Sequence, residues 1–249
     1  MLPYSEWAPA FLPTYRATLS FFASGRSIHW PLLLVPSTAR CGYIYWSIEA
    51  ELDEVVDLTV RAFGNDLSIQ SMVGDDDSLK DPVFRAMIRA GELDGEVYLA
   101  TEIGSMKVVG VAVWFPPGKS LFATEEQRAL GFDEFFEKLS PEIKKFWNDT
   151  YDPVVDKFLA ETIGPTWTAD YWYLNLIATD PAFQNKGIAT MLLKTVYDKL
   201  SDSDSRPMLA HCASNEPNVR FYESCEYHVK GKICMEAATG GYPVFCLTK

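Results

Sequence analysis

The sequence predicts a domain of the α/β (α+β) class that follows an N-terminal extension. Segments with strand-like alternation of apolar and polar residues occur in turn with segments whose apolar residues recur at helical spacing. Apolar residues make up 48% of the 249 residues and aromatic residues 14%, which is ample for a packed core. The clearest unit is a strand, a polar loop and a helix within residues 174–193. The domain is predicted to span residues 43–249.

Residues 1–42 differ in composition from the rest of the chain. Between Glu6 and Glu49 the sequence contains three arginines and no acidic residue. An acid-poor, arginine- and serine-bearing N-terminus resembles an organellar transit peptide. The alternative is a poorly ordered extension, or one that adds contacts on the domain surface. We expect a cytoplasmic protein, with an organellar location as the alternative if these residues target it.

The charge and the apolar segments limit the classes of partner. A formal charge of −12 argues against a nucleic-acid partner, which needs clustered Lys and Arg, and against an anionic membrane surface. It is compatible with a cationic substrate such as an amine. Since no stretch approaches the roughly 20 apolar residues that span a bilayer, no membrane partner is expected.

The five cysteines are odd in number and have no short regular spacing, which favours reduced thiols. Cys212, Cys225, His228 and Cys234 lack the paired spacing of a zinc site. We therefore predict no metal and regard these cysteines as small buried side chains.

The first elements of the domain follow from periodicity and turn residues. Apolar residues on one face predict a helix over residues 50–63, ended by Gly64. A polar loop with the acidic run 75–77 separates it from a second predicted helix near residues 82–90. Before them, a strand is predicted over residues 43–48.

A hairpin comes next, with strands at residues 96–101 and 107–115 joined by Gly104-Ser105. Trp114 lies at the end of its second strand. The side chain is expected either to pack in the core or to line a substrate pocket.

Residues 119–170 form a long, largely helical insertion. Thr124 begins a capping-box pattern, and a second helix is predicted after Ser140-Pro141. Asp152-Pro153 is expected to break or kink the pattern before a further helix over residues 154–163. We expect this insertion to line the substrate site.

The C-terminal part alternates strands and helices. A central strand is predicted over residues 170–179, and the helix that follows carries Ile188, Leu192 and Val196 on one face. The remaining elements are a strand, a helix and two strands, at residues 206–213, 216–224, 227–235 and 244–248.

The loop between the central strand and its helix has the properties of a phosphate site. Helix N-termini leave about four backbone N–H groups unpaired and carry a positive dipole. Gly187 allows close approach of backbone and ligand, and Lys186 adds a positive charge. The alternative is an ordinary solvated connection between a strand and a helix.

This region resembles motif A of the GNAT superfamily of N-acetyltransferases, Q/R-x-x-G-x-G/A. Gln184, Gly187 and Ala189 occupy its positions, and Thr179-Asp180-Pro181 matches the turn before it. Downstream, Asn215 and Phe221-Tyr222-Glu223 resemble a second signature of the family. The resemblance is good over residues 172–233 and looser back to about residue 43.

The resemblance implies a GNAT fold with a central, mostly antiparallel, twisted sheet of about six to seven strands. The sheet would be splayed between the fourth and fifth strands, with helices on both faces. It also implies acetyl-CoA as cosubstrate and a small-molecule amine, or a peptide or protein amine, as acceptor. We expect a monomer or a homodimer.

The resemblance further assigns residues to the cofactor. The pantetheine arm would contact the central strand, and the pyrophosphate would bind the loop and the helix start. The implied cofactor-binding residues are Ile177, Ala178, Thr179, Gln184, Asn185, Lys186, Gly187, Ile188, Ala189, Thr190, Asn215 and Asn218.

The implied catalytic residues are Tyr222, Asn175 and Tyr173. Tyr222 matches the tyrosine that protonates the departing thiolate, because a phenol is protonated at neutral pH. Tyr173 and Asn175 occupy positions where several relatives carry Glu or His, and neither is a general base at neutral pH. His211 is the nearest imidazole, and a water relay or binding of the neutral amine are the alternatives.

The resemblance thus predicts an acetyl-CoA-dependent N-acetyltransferase in which the amine attacks directly in a ternary complex. Two alternatives remain. In the first, the chain is an acyltransferase that uses another acyl-CoA or a protein amine. In the second, it is a CoA-binding or protein-interaction module with little or no catalytic activity.

Overall fold

A computed structural model describes residues 39–44, 51–201 and 208–249, and its framework is a seven-stranded sheet. The strands are β1 (Ala39–Ile44), β2 (Glu96–Glu102), β3 (Val108–Phe115), β4 (Trp172–Thr179), β5 (Leu209–Ala213), β6 (His228–Met235) and β7 (Tyr242–Thr248). Their order is β1-β2-β3-β4-β5-β7-β6. Neighbouring strands are antiparallel except for β4 and β5, so the predicted mostly antiparallel sheet is confirmed.

The first strand begins earlier than predicted. β1 starts at Ala39 and pairs with β2 from Ala39↔Glu102 to Ile44↔Val97, so the sheet includes residues assigned to the extension. The expected strand over residues 43–48 overlaps it at only two positions, and residues 45–50 lie outside the described part. The targeting and extension predictions concern residues 1–42, of which residues 1–38 also lie outside the described part.

Three helices link β1 to β2: α1 (Leu52–Phe63), α2 (Leu67–Val73) and α3 (Lys80–Asp94). The first and third were predicted, whereas α2 lies in the segment predicted as a polar loop. The side chain of Asp66 caps α2 by accepting the backbone N–H of Ser68 at 3.0 Å. Asp76, within the acidic run, caps the following 3-10 turn in the same way through Ser78.

The insertion is helical almost throughout. Its helices are α4 (Glu125–Gln127), α5 (Asp133–Lys138), α6 (Pro141–Phe146), α7 (Asp152–Ile163) and α8 (Trp167–Asp170). Thr124 and Ser140 cap α4 and α6, as their sequence patterns predict. Of the break or kink expected at Asp152-Pro153, the break is absent, because a π-helical turn over Trp147–Tyr151 joins α6 to α7. The wider turn accommodates the missing N–H of Pro153 in the first turn of α7.

The last two helices, α9 (Ile188–Ser201) and α10 (Glu216–Ser224), complete the two layers that cover the sheet. Alternate residues of β3 face opposite layers. Val113 and Phe115 belong to the core shared with α1 and α3, whereas Ala112 and Trp114 belong to the core shared with α9. Trp114 is fully buried, so core packing is its role, and the substrate-pocket alternative is wrong.

A third core cluster joins the insertion to the far edge of the sheet. Phe158 and Leu159 of α7 pack with Val244 and Cys246 of β7. The insertion therefore reaches from α2, through the Trp147–Met72 hydrogen bond, to β7, and packs on Tyr173 of β4 and Cys212 of β5. Within the described ranges, no helix is both long and apolar enough to cross a membrane.

Candidate active site

A cleft opens where the two parallel strands separate. β4 and β5 pair at only three positions, from Trp172↔Leu209 to Leu174↔His211. Residues 175–179 of β4 continue along β3 but have no partner on β5 within the described part. The separation confirms the predicted splay, and a cavity of about 1530 Å³ lies beside it.

The loop after β4 presents backbone N–H groups at one end of this cleft. Asn185 (φ 59°) and Gly187 (φ 78°) both adopt left-handed conformations, which turn the chain into the start of α9. The N–H groups of residues 184–190 have no hydrogen-bond acceptor within the described parts of the chain. Free N–H groups at a helix start are the physical basis of an anion site.

A buried carboxylate fixes the turn that precedes the loop. Asp180 Oδ1 accepts the backbone N–H of Ala182 at 2.9 Å, and Oδ2 forms ion pairs with Arg61 (3.0 Å) and Lys107 (3.3 Å). Burial alone would raise the pKa of this carboxyl, but these partners hold it below its usual range. Arg61 and Lys107 were not predicted as supports of the loop, because they are distant from it in sequence.

Most residues predicted for the site line this one cavity. They come from four segments: β4, the loop with the start of α9, the segment after β5, and α10. The lining residues among those predicted are Tyr173, Asn175, Ile177, Ala178, Thr179, Gln184, Asn185, Gly187, Ile188, Ala189, Thr190, Asn215, Asn218 and Tyr222. Their roles stay predictions.

Lys186 is the predicted residue that does not line the cavity. Its ammonium group donates to the carbonyl of Ala182 at 3.0 Å and lies 4.4 Å from the centre of the Phe183 ring. Its side chain therefore covers the turn before the loop, while its backbone N–H remains part of the loop.

Gln184 and Thr179 meet where the strand ends. The Gln184 side-chain amide donates to the Thr179 carbonyl at 3.4 Å, which closes the turn. The hydroxyl oxygen of Thr179 is buried and has no hydrogen-bond partner among the described residues. An unpaired buried hydroxyl at the edge of the cleft is a group that a ligand would satisfy.

Tyr222 is held in the wall of the cleft by two aromatic rings. It is only 6% exposed, and its ring centroid lies 3.8 Å from that of His211 and 5.9 Å from that of Tyr227. Burial raises the pKa of its phenol above the ordinary value of 10. Tyr222 therefore carries its proton throughout the physiological pH range.

Asn215 has a structural role in addition to its position in the cleft. Its side-chain oxygen accepts the backbone N–H of Asn218 at 2.9 Å and caps α10. The cap is compatible with the cofactor contact implied for Asn215, which stays a prediction. Ser214, just before it, donates to Asp66 Oδ2 at 2.9 Å and links the start of α2 to the end of β5.

His211 and Tyr173 are both neutral groups. His211 is 1% exposed, neither ring nitrogen has a partner in the described part, and burial lowers its pKa to about 3. Burial raises the pKa of Tyr173 well above 10, and its ring packs on Trp167 at 5.3 Å. Neither side chain is suited to accept a proton from an amine at neutral pH.

The other half of the cleft is built mainly by the insertion and by α2. Insertion residues on its surface include Phe122, Phe132, Phe136, Tyr151 and Asp152. Asp66, Asp152 and Tyr151 were not among the predicted site residues. The Phe132–Phe136 spacing of four residues was the available signal, but it also fits an ordinary core-facing helix.

Comparisons with known proteins agree with this geometry. A family profile described as "Acetyltransferase (GNAT) family" matches residues 93–227. No curated protein gives a match.

Solved structures of low identity share the fold. A putative arylalkylamine N-acetyltransferase 7 from the yellow fever mosquito is 14% identical, with 85% of this chain and 86% of that chain covered and a TM-score of 0.58. Arylalkylamine N-acetyltransferase 2 from Aedes aegypti is 15% identical, with 85% and 98% covered and a TM-score of 0.54. A structure described as histone acetyltransferase HPA2 and related acetyltransferase, from Corynebacterium glutamicum, is 16% identical. It covers 82% of this chain and 92% of its own chain, with a TM-score of 0.53. Since the family profile covers more than half of the residues and includes the loop and Tyr222, this chain belongs to the GNAT acetyltransferase family.

Proposed function

We propose that this protein is an acetyl-CoA-dependent N-acetyltransferase that acetylates a primary amine by direct attack in a ternary complex. One observation carries the proposal. The loop of free N–H groups at residues 184–190 and the protonated Tyr222 line the same cleft, beside the separation of β4 and β5.

The residues present are suited to holding a pyrophosphate and a pantetheine arm. The N–H groups of residues 184–190 would receive the pyrophosphate oxygens, with the positive end of the α9 dipole behind them. The edge of β4 over residues 175–179, which lacks a strand partner, would pair with the amides of the arm. The unpaired hydroxyl of Thr179 lies on the same edge.

When bound, acetyl-CoA supplies an activated thioester carbonyl. Tyr222 would donate its O–H proton to the departing sulfur and regain a proton from the attacking nitrogen. In total, the C–N bond forms, the C–S bond breaks, and the ammonium loses two protons. One proton ends on the thiol and one goes to water. The chain contributes chiefly by positioning the two substrates, because the thioester is already activated.

The group that first deprotonates the amine is not one of the predicted residues. Tyr173 and Asn175 have no basic atom at neutral pH, and His211, with its pKa near 3, is a poor acceptor. Asp152 lines the cleft, and burial raises the pKa of its carboxyl above the ordinary value. A water between this carboxylate and the ammonium would carry the proton to solvent.

Calorimetry with acetyl-CoA and a thiol-release assay test the proposal together. We expect saturable binding of acetyl-CoA to the full chain, and release of free thiol that depends on an added primary amine. Absence of binding to folded protein would overturn the proposal. Binding without turnover on any amine would support the alternative, a CoA-binding module of the same fold. Faster turnover with propionyl-CoA or a longer acyl-CoA would identify a different acyl donor, and the reaction class would stay unchanged.

The nature of the acceptor decides between the enzymatic alternatives. Two of the structurally similar proteins are named as arylalkylamine N-acetyltransferases, and another as a histone acetyltransferase and related acetyltransferase. Their names cover both small amines and protein amines. The insertion contributes side chains to the acceptor half of the cavity, which supports a small-molecule acceptor over a folded protein surface.

A further inference from the structure

The acceptor half of the cleft has an aromatic wall made by Phe122, Phe132 and Phe136 of the insertion. The rings of Phe122 and Phe132 stack with centroids 4.0 Å apart, and those of Phe132 and Phe136 are 5.7 Å apart. All three line the cavity and are only partly buried. Their neighbour Phe135 is instead fully buried in the core and does not line the cavity. The insertion thus presents three aromatic rings to the cleft, in addition to the Phe135 ring that packs in the core.

The backbone at Phe122 is held in an unfavourable conformation. Its φ of 57° lies in the left-handed region, which costs free energy for a residue with a side chain. Arg128 Nη1 donates to the Phe122 carbonyl at 3.0 Å and stabilises this conformation. A strained residue that forms part of a ligand cavity is a common feature of functional sites.

Carboxylates also line this half of the cavity, namely Asp66, Asp133, Asp152 and Asp156. Asp66 and Asp152 both border the cavity, and the negative charge of each contributes to raising the pKa of Tyr151, after the larger effect of burial. Among the ion pairs of the described residues, no Lys or Arg contacts either carboxylate. The Ser214–Asp66 hydrogen bond places Asp66 at the junction with the half predicted for the cofactor.

These two features define one type of ligand. Carboxylates without a cationic partner attract an ammonium group, and aromatic faces favour flat apolar groups. We propose that the acceptor is a primary arylalkylamine, whose ammonium binds between Asp66 and Asp152 and whose ring packs on Phe122, Phe132 and Phe136. This inference rests on the proposed acetyltransferase activity.

A panel of acceptors tests the inference on the wild-type chain. Thiol release is measured at saturating acetyl-CoA with 2-phenylethylamine, n-butylamine, spermidine and a lysine-containing peptide. We expect kcat/KM for 2-phenylethylamine to exceed that of n-butylamine about tenfold or more, since the buried ring adds apolar contact. Equal or greater kcat/KM for n-butylamine, spermidine or the peptide would overturn the inference and leave the acetyltransferase proposal intact. No turnover with any amine would overturn the acetyltransferase proposal itself.

Two pairs of variants locate the specificity. Phe136→Leu is expected to lower the 2-phenylethylamine to n-butylamine ratio of kcat/KM at least fivefold. Phe146→Leu is its control, because Phe146 is a partly buried ring of the same insertion that does not line the cavity. Asp152→Asn is expected to raise KM for 2-phenylethylamine about tenfold. Asp149→Asn is its control and should leave KM unchanged, because it removes the same charge from an exposed residue that does not line the cavity. Equal effects of a variant and its control would overturn the assignment of that residue.

Discussion

The imidazole of His211 lies against the phenol ring of Tyr222, with ring centroids 3.8 Å apart and 46° between the ring planes. His211 occupies the last position at which β4 and β5 still pair, opposite Leu174. Tyr227 contacts the imidazole on another side at 4.9 Å. The proposed proton donor is therefore packed on a neutral ring at the point where the cleft begins. A neutral neighbour leaves the phenol protonated, whereas a nearby cation would favour its ionised form.

Replacing Tyr222 by Phe tests its role as proton donor. We expect kcat to fall about 100-fold, because a positioned general acid contributes roughly that factor or more. The affinity for acetyl-CoA should change little, since the ring and its packing are retained. Initial rates and calorimetry measure the two quantities. Tyr197→Phe is the matched control, because Tyr197 packs in the same core and does not line the cleft. Unchanged kcat in Tyr222→Phe would remove the assigned role.

Burial of His211 should make the stability of the protein sensitive to mild acid. Its pKa is about 3 in the folded state, against about 6.5 in an unfolded chain. Between these values the unfolded state binds a proton that the folded state does not, so stability decreases as the pH falls. From pH 7 to pH 5 this single group should remove about 2 kcal/mol of unfolding free energy.

The contribution of His211 can be isolated with His211→Phe, which keeps an aromatic ring against Tyr222. Urea unfolding at pH 7 and pH 5 measures the loss in each protein. We expect the loss to be about 2 kcal/mol smaller in the variant than in the wild type. Carboxyl groups contribute equally to both proteins, so they cancel in the comparison. The same pH dependence in both would mean that His211 is not buried in its neutral form.

Gly187 should be required for binding of acetyl-CoA. Its φ of 78° is unfavourable for any residue with a Cβ, and the cost is roughly 1–2 kcal/mol. No atom lies within 4 Å of an added Cβ, so the strain, and not a clash, would displace the loop. We expect Gly187→Ala to raise the dissociation constant of acetyl-CoA about tenfold, measured by calorimetry.

Gly118 provides a close control for this variant. Its φ is 84°, an added Cβ also meets no atom within 4 Å, and it does not line the cleft. Gly118→Ala should therefore lower the melting temperature by a similar amount and leave binding unchanged. A similar loss of affinity in both variants would indicate general destabilisation, and the loop would not be the binding site.

The carboxylate of Asp180 should stabilise the turn before the loop. Asp180→Asn removes its ion pairs with Arg61 and Lys107, and we expect unfolding free energy to fall by about 1–2 kcal/mol at pH 7. Because the pKa of Asp180 is lowered in the folded state, this stabilisation is present above pH ~4 and is lost as the pH falls further.

Unfolding experiments at several pH values check this prediction. The difference between wild type and Asp180→Asn should narrow below about pH 4, as the wild-type carboxylate takes up a proton. Asp198→Asn, which removes an exposed ion pair with Lys194, should change stability by less than about 1 kcal/mol at any pH. A constant difference across the pH range would show that the ion pairs of Asp180 contribute nothing.

The sequence by itself determined the elements whose signals are local. The loop around Gly187, the caps at Thr124 and Ser140, and the order of strands and helices in residues 172–248 all depend on neighbouring residues. The family resemblance added the splay between β4 and β5, which pair at only three positions. Local periodicity failed at α2 and at Asp152-Pro153. At α2 an Asp66 cap starts a short helix, and at Asp152-Pro153 a π turn accommodates the proline.

The tertiary structure alone decided which distant residues share the cleft. Asp66, Tyr151 and Asp152 meet through chain folding that no spacing in the sequence encodes, and the Asp66–Ser214 bond joins residues 148 positions apart. It also decided that Trp114 is core, that His211 is buried in a neutral form, and that Lys186 turns away from the cleft. Burial and long-range contact set these properties. Neither is a property of a residue type or of its neighbours in sequence.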